Sequence, residues 1–273
     1  MCFREFKKIK MQTIWTLIQT CIVPIISYAS ETWHCNKQER KKLNQILDKI
    51  LRRILMTPDA TPREALYIET GLLDIAALAE SKRLNMKARL NRNKSDMMNK
   101  VLSNPECMWE NDTKDTMRKY GITPDELTGS KYQCKALIKR AIMAQFKPDI
   151  EIGCQGKSKM TYFLDNKENW QPGKRAQYMN ELTRKQTSLV FKARCRMIKV
   201  KGNYKNGHPN LICRLCGEKE ETQTHILEEC PTMHPNDTNK VSRHQLFNED
   251  AGALRQTAHN LNQIMEKLGE ILY

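Results

Sequence analysis

From residue 38 onward, apolar side chains recur at every third or fourth position: Leu43, Ile46, Leu47, Ile50, Leu51, Ile54 and Leu55. This is the stripe of an amphipathic helix, and it predicts one over Gln38–Met56. Arg40, Lys41, Lys42, Lys49, Arg52 and Arg53 occupy the opposite face, and Pro58 lies just past the end. Thr61-Pro62-Arg63-Glu64 reads as a helix start, with Thr as N-cap, Pro at the first helical position and Glu at the third. That helix should run to about Glu69 and stop at Gly71. A further helix is expected over Asp74–Arg92, burying Ile75, Leu78, Ala79 and Leu84. Ile14–Ala29 is apolar but holds Gln19 and Pro24 and is shorter than the roughly 20 residues a bilayer span needs. It reads as a buried core helix, kinked or ended near Pro24.

The pattern weakens beyond residue 92. Asn, Asp, Lys, Met and Thr dominate 93–130, one helix is expected over Lys131–Phe146, and 147–173 reads as irregular. A strong helical rhythm returns over Arg175–Lys199, on Tyr178, Leu182, Leu189, Val190, Ala193 and Met197. The tail from Val241 reads as helical, with a stripe of Leu261, Ile264, Met265, Leu268 and Ile271. The predicted fold is mostly α, in four parts. Residues 1–92 form a helical bundle, and 93–173 a linker with short helices. Residues 174–235 carry a long basic helix and a small cysteine-rich module, and 236–273 a helical tail. No strand is expected outside the cysteine-rich module.

Composition adds a partner class. The chain of 273 residues has 46 basic and 31 acidic side chains, a net charge of +15. Such an excess attracts polyanions, nucleic acid before anionic membrane. The excess is concentrated in one stretch, Lys174–Lys205, which holds ten basic residues and one acidic one, Glu181. A basic helix there would present phosphate contacts from Arg184, Lys185, Lys192, Arg194, Arg196, Lys199 and Lys201, with Tyr204 as a base-stacking partner. The alternative is a solvated charged face.

Three of the ten cysteines fall within 213–230, in the order Cys213-x2-Cys216-x8-His225-x4-Cys230. Thiolate and imidazole suit Zn2+, which takes four ligands in a tetrahedron. The turn between Cys213 and Cys216 can present both sulfurs to one ion, and Gly217 follows where positive φ is needed. His225 and Cys230 are expected on a short helix. With four protein ligands the one zinc would be structural. His208 and His234 flank the module as alternative ligands. Glu218, Glu220 and Glu221 read as a solvated loop, and Asp48 with Glu39 as surface ion pairing. The other cysteines show no pairing rhythm, and the first ten residues do not look like a signal peptide. Reduced thiols in the nucleus or cytoplasm are therefore expected.

The segments Cys213–Glu218 and Glu221–Cys230 resemble the CCHC zinc knuckle near the C-terminus of non-LTR (LINE-type) retrotransposon reverse transcriptases. Lys201-Gly202-Asn203-Tyr204 resembles the lead-in to that knuckle. Ile22–Trp33, the helix to Arg53, Thr61-Pro62 and Glu69–Leu73 look like the end of the polymerase and its thumb in the same family. The resemblance covers about 20–92 and 175–231. It implies a thumb-like bundle in 1–92, RNA or DNA as partner, and the upstream polymerase domains of the same polyprotein as a further one. The family's aromatic-x-Asp-Asp motif, which holds two metal ions, has no counterpart, because the chain has no Asp-Asp pair. Nor would a restriction-like endonuclease fit after Cys230. The resemblance therefore implies a C-terminal, nucleic-acid-binding fragment without polymerase or nuclease activity. A zinc-stabilised helical module for protein contacts, retained by a host, is the competing reading. No nucleophile–base motif or phosphate-binding loop points to another enzyme.

Overall fold

A computed structural model describes residues 9–33, 37–93, 96–203, 210–236 and 238–269. The fold is mostly α, and no strand occurs among the described residues. Only two isolated antiparallel bridges do, Lys10 with Thr183 and Ile212 with Glu220.

The chain opens with α1 (Met11–Leu17), a π turn over Ile18–Ile22, and α2 (Val23–Ile26). The π turn ends just before Pro24, which has no N–H to offer the preceding turn. This segment is a core helix on one side alone. Met11, Trp15 and Ile18 are buried, whereas Leu17, Ile25 and Tyr28 are exposed.

Next come α3 (Lys37–Ile54), α4 (Arg63–Thr70) and α5 (Ile75–Asn93), close to the expected spans. Leu47, Leu51 and Leu55 of the α3 stripe are fully buried, Leu43, Ile50 and Ile54 are half-buried, and Ile46, expected in the stripe, is exposed. Gly71 ends α4 at φ +63°, and a Cβ there would also come within 2.6 Å of the Lys174 backbone. Only glycine meets both demands. Asp48 is buried and not a surface ion-pair residue. Its Oδ1 accepts from the Tyr67 hydroxyl at 2.6 Å, and Arg63 lies 3.5 Å from its other oxygen. Asn44 Oδ1 accepts the Ile75 N–H, so α3, α4 and α5 share one buried polar network.

After α6 (Asp96–Leu102) and α7 (Met108–Tyr120) comes α8, which spans Lys131–Cys154. It passes through Pro148 and eight residues beyond the expected end at Phe146. The apolar stripe explains this: Cys134, Ile138, Ile142, Phe146, Ile150 and Cys154 are all buried, at a strict spacing of four. Their burial outweighs the one backbone bond lost at proline. Helix α8 packs on α5, α4 and α7. A short α9 (Thr161–Asp165) lies within the stretch expected to be irregular.

The predicted long basic helix is two elements, α10 (Tyr178–Glu181) and α11 (Arg184–Arg194). Thr183 starts the second. Its side chain accepts the Gln186 N–H while Gln186 bonds back to the Thr183 N–H, a reciprocal cap. Arg196, at φ +51°, ends it, and the Met197 N–H bonds back to the Lys192 carbonyl. The C-terminal stretch is likewise divided, into α12 (Arg243–Leu246) and α13 (Ala251–Lys267). Leu254, Leu261 and Ile264 of α13 are buried, and the helix packs on α10, α11 and α12. Ile271 lies outside the described residues. No described helix is long and apolar enough to cross a membrane.

Candidate metal centre

The loop after α11 turns at Lys201–Asn203 and then builds the cysteine module. The Cys213 N–H bonds to the Lys219 carbonyl and the Glu221 N–H to the Leu211 carbonyl. These two bonds close a tight loop around Cys213 and Cys216, and Gly217 holds the turn at φ +73°. His225 and Cys230 complete the set.

In an ordinary α-helix, residues five apart point about 140° away from each other. Here His225–Glu229 forms a π turn, and the Cys230 N–H bonds to the His225 carbonyl at 2.7 Å. The wider turn returns Cys230 to the side of His225. The x4 spacing thus specifies a π turn and not the plain helix expected.

One ligand atom from each of Cys213, Cys216, His225 and Cys230 lies within 4.8 Å of all the others, close enough to hold a metal ion. The Cys213 and Cys230 sulfurs are 4.0 Å apart, and Cys216 Sγ is 3.3 Å from His225 Nε2. A tetrahedral zinc with ordinary bond lengths implies about 3.8 Å between sulfurs and about 3.6 Å from sulfur to nitrogen. The donor set and its spacing therefore fit one zinc. His225 faces the cluster through Nε2, and its Nδ1 points toward Glu229 Oε2 at 3.9 Å.

The thiols are not equivalent. Backbone N–H groups of Glu218 and then Lys219, together with His225, lower the Cys216 pKa to about 6. Burial, with Cys213 adding to it, pushes Cys230 up to about 11. Cys216 is thus the readiest thiolate of the two.

Glu221 corrects the expectation of a solvated acidic loop. It is fully buried and accepts from the Arg214 N–H, Nε and Nη2, and from the Lys201 N–H. Burial acts to raise its pKa, but the bonds from Arg214 and the two backbone N–H groups outweigh that and hold it below the usual carboxylate range. Glu221 therefore ties the Cys213–Cys216 turn to the incoming chain. Gln223, also buried, donates to the Ala193 carbonyl at the end of α11. His234 is not a ligand: its ring nitrogens lie 3.0 Å and 3.1 Å from the Ile226 and Thr238 carbonyl oxygens. His208 lies outside the described residues.

The basic stripe is not the open face its sequence suggests. Arg194 is buried, with Nη1 on both carboxylate oxygens of Glu69 and Nε on the Leu246 carbonyl. Arg184 bonds to the Ile54 and Arg53 carbonyls and so caps the end of α3. Lys201 Nζ donates to the Ile212 carbonyl. Lys185 and Lys192 are half-buried, Arg196 lies 5.8 Å over the Tyr162 ring, and Lys199 is exposed. Arg184, Arg194 and Lys201 are thus engaged by the protein itself, because the α10–α11 region packs on its neighbours. Tyr204 lies outside the described residues.

No protein-family model, curated protein or solved structure matches this chain.

Proposed function

We propose that this chain is a nucleic-acid-binding module built around one structural zinc. It would correspond to the thumb, linker and CCHC-knuckle part of a non-LTR retrotransposon reverse transcriptase. The observation that carries the reading is the closed Cys3His cluster in a chain of net charge +15. Four protein ligands leave no open position for substrate, so the zinc orders the chain and performs no chemistry. The sequence has no paired aspartates for two-metal polymerisation, and the reading assigns it neither polymerase nor nuclease activity. Its partner is RNA or DNA, its compartment the nucleus or cytoplasm.

A competing reading, a zinc-stabilised module for protein contacts, gains from the internal engagement of Arg184, Arg194 and Lys201. The two separate in one experiment. Purified chain is assayed for zinc content and for binding to oligouridylate RNA and duplex DNA across a salt series. One equivalent of zinc is expected, together with affinity that falls steeply with salt, by a log–log slope of about −0.7 per phosphate contact on single strands. Zinc below half an equivalent, or affinity indifferent to salt, would sink the proposal.

A further inference from the structure

Helix α8 carries a second basic row, on a face the rest of the fold leaves open. Lys131, Lys135 and Lys139 are all exposed and sit four residues apart, each step about 6 Å along the helix axis. Tyr132, Ala136 and Arg140 run beside them along the middle of the same exposed face, opposite the buried stripe of Cys134, Ile138 and Ile142. Lys131–Asp149 holds no acidic residue before Asp149 itself. Among the described residues, none of the three lysines forms an ion pair. Arg140 is partly balanced by Glu126, whose carboxylate is held low first by Thr123 and to a lesser degree by Arg140. Tyr132 is 82% exposed, with the lysines at positions three and seven beyond it on nearly the same side.

We propose that this face of α8 is a track for single-stranded nucleic acid, with Lys131, Lys135 and Lys139 on backbone phosphates and Tyr132 stacked on a base. The proposal rests on the nucleic-acid reading above and names its surface. Three features favour a single strand. The lysines lie in one line, as a backbone tracking along the helix requires. An open aromatic ring beside them offers a stacking platform, which suits an unpaired base and is idle on a duplex. A membrane surface would need an apolar face turned outward, and the apolar face of α8 is buried against α5. The exposed basic face of α3 lacks these features. Gln45 and Ile46 interrupt it, it has no aromatic residue, and Arg40 is paired with Glu80.

The test uses the full chain and oligouridylate RNA, with duplex DNA and polyglutamate as comparison probes. Changing Lys131, Lys135 and Lys139 together to Gln should make the salt slope on RNA shallower by about 2 and weaken binding on the order of a hundredfold at about 0.1 M salt. Tyr132→Ser should weaken RNA binding by about five- to a hundredfold with the slope unchanged, and leave duplex binding alone. Changing Lys41, Lys42 and Lys49 to Gln removes equal charge from α3 and should do much less. All these side chains are exposed, so zinc content and helical circular dichroism should match the parent. If the α8 and α3 variants weaken binding equally, or if polyglutamate binds as tightly as RNA and responds equally to the α8 changes, the track is overturned while salt-dependent binding by the parent still stands. If the parent itself does not bind RNA, the broader reading falls as well.

Discussion

Arg194 and Glu69 form an ion pair sealed from solvent, with Nη1 of the arginine 3.0 Å from both carboxylate oxygens, although 125 residues separate them. The rings of Tyr178 and Phe247 lie 4.4 Å and 4.6 Å from the guanidinium carbon, and the Leu246 carbonyl takes Nε. One side chain thus joins α4 to α10, α11 and the end of α12.

Removing one partner leaves a charge buried without compensation. Arg194→Ala should cost about 3–5 kcal/mol, read as a shift in the urea unfolding midpoint. Lysine's single nitrogen cannot hold Glu69 and the Leu246 carbonyl together and has no planar group to lie against the two rings, so Arg194→Lys should recover little. Glu69→Leu combined with Arg194→Met should cost less than Arg194→Ala, since no lone charge remains. A loss below about 1 kcal/mol for Arg194→Ala would contradict the described pairing.

The bond between Tyr67 and Asp48 makes a smaller claim. Tyr67→Phe keeps the ring, which packs edge-on to Phe146, and removes only the donor to a buried carboxylate. The expected loss is about 1–3 kcal/mol in the same unfolding measurement, with no change in zinc content. An effect within error would mean that Arg63 satisfies Asp48 alone.

What the sequence made legible was periodicity and ligand spacing. The α3 stripe and the Gly71 stop were readable because each is a local pattern with one physical cause. The extension of α8 past Pro148 was hidden by a local rule that a nonlocal stripe overrides. The break at Thr183 was readable in principle, since Thr183-x-x-Gln186 is a capping signal, but the rhythm of Arg175–Lys199 obscured it. Ser130-x-x-Gln133 carries the same signal at the start of α8, and there the expected start at Lys131 agrees with the structure. In the candidate metal centre, the four residues that come close enough to hold an ion followed from spacing, whereas Glu221 did not. A buried glutamate held by Arg214 looks like any loop glutamate until the fold brings the two together. Arg194 failed for the same reason, because its partner Glu69 is remote in the chain.

Cys154 gives the pH prediction. It lines a cavity of about 70 Å³ together with Phe163, Trp170, Arg175 and Phe247. Burial, with Glu64 adding to it, pushes its thiol from about 9 up to about 12. The folded state therefore holds this proton more tightly than the unfolded state. The associated stability is complete below pH 9 and is lost as pH rises from about 9 to 12. Cys154→Ala should flatten that part of the stability–pH curve, measured by urea midpoint, even where its neutral-pH stability is lower. Equal slopes for parent and variant would remove Cys154 as the cause.

Glu221 supplies the sharpest test of the metal centre, because it touches no ligand atom yet holds the turn that presents two of them. Its carboxylate takes the Arg214 N–H between Cys213 and Cys216, the Arg214 side chain and the Lys201 N–H. Glu221→Gln is nearly the same shape but has one oxygen fewer and no charge, so it cannot satisfy all these donors. Groups that orient ligands from one shell out typically change metal affinity by about 10–100-fold. Zinc affinity of the variant should fall within that range, read by competition with a fluorescent chelator. Glu220→Gln, at an exposed neighbouring position, should leave affinity unchanged. Cys216→Ser, which removes a ligand outright, should lose more than Glu221→Gln does. If Glu221→Gln matches the parent while Cys216→Ser abolishes binding, the cluster holds its zinc without help from the Arg214–Glu221 contact, and Glu221 is buried for folding alone.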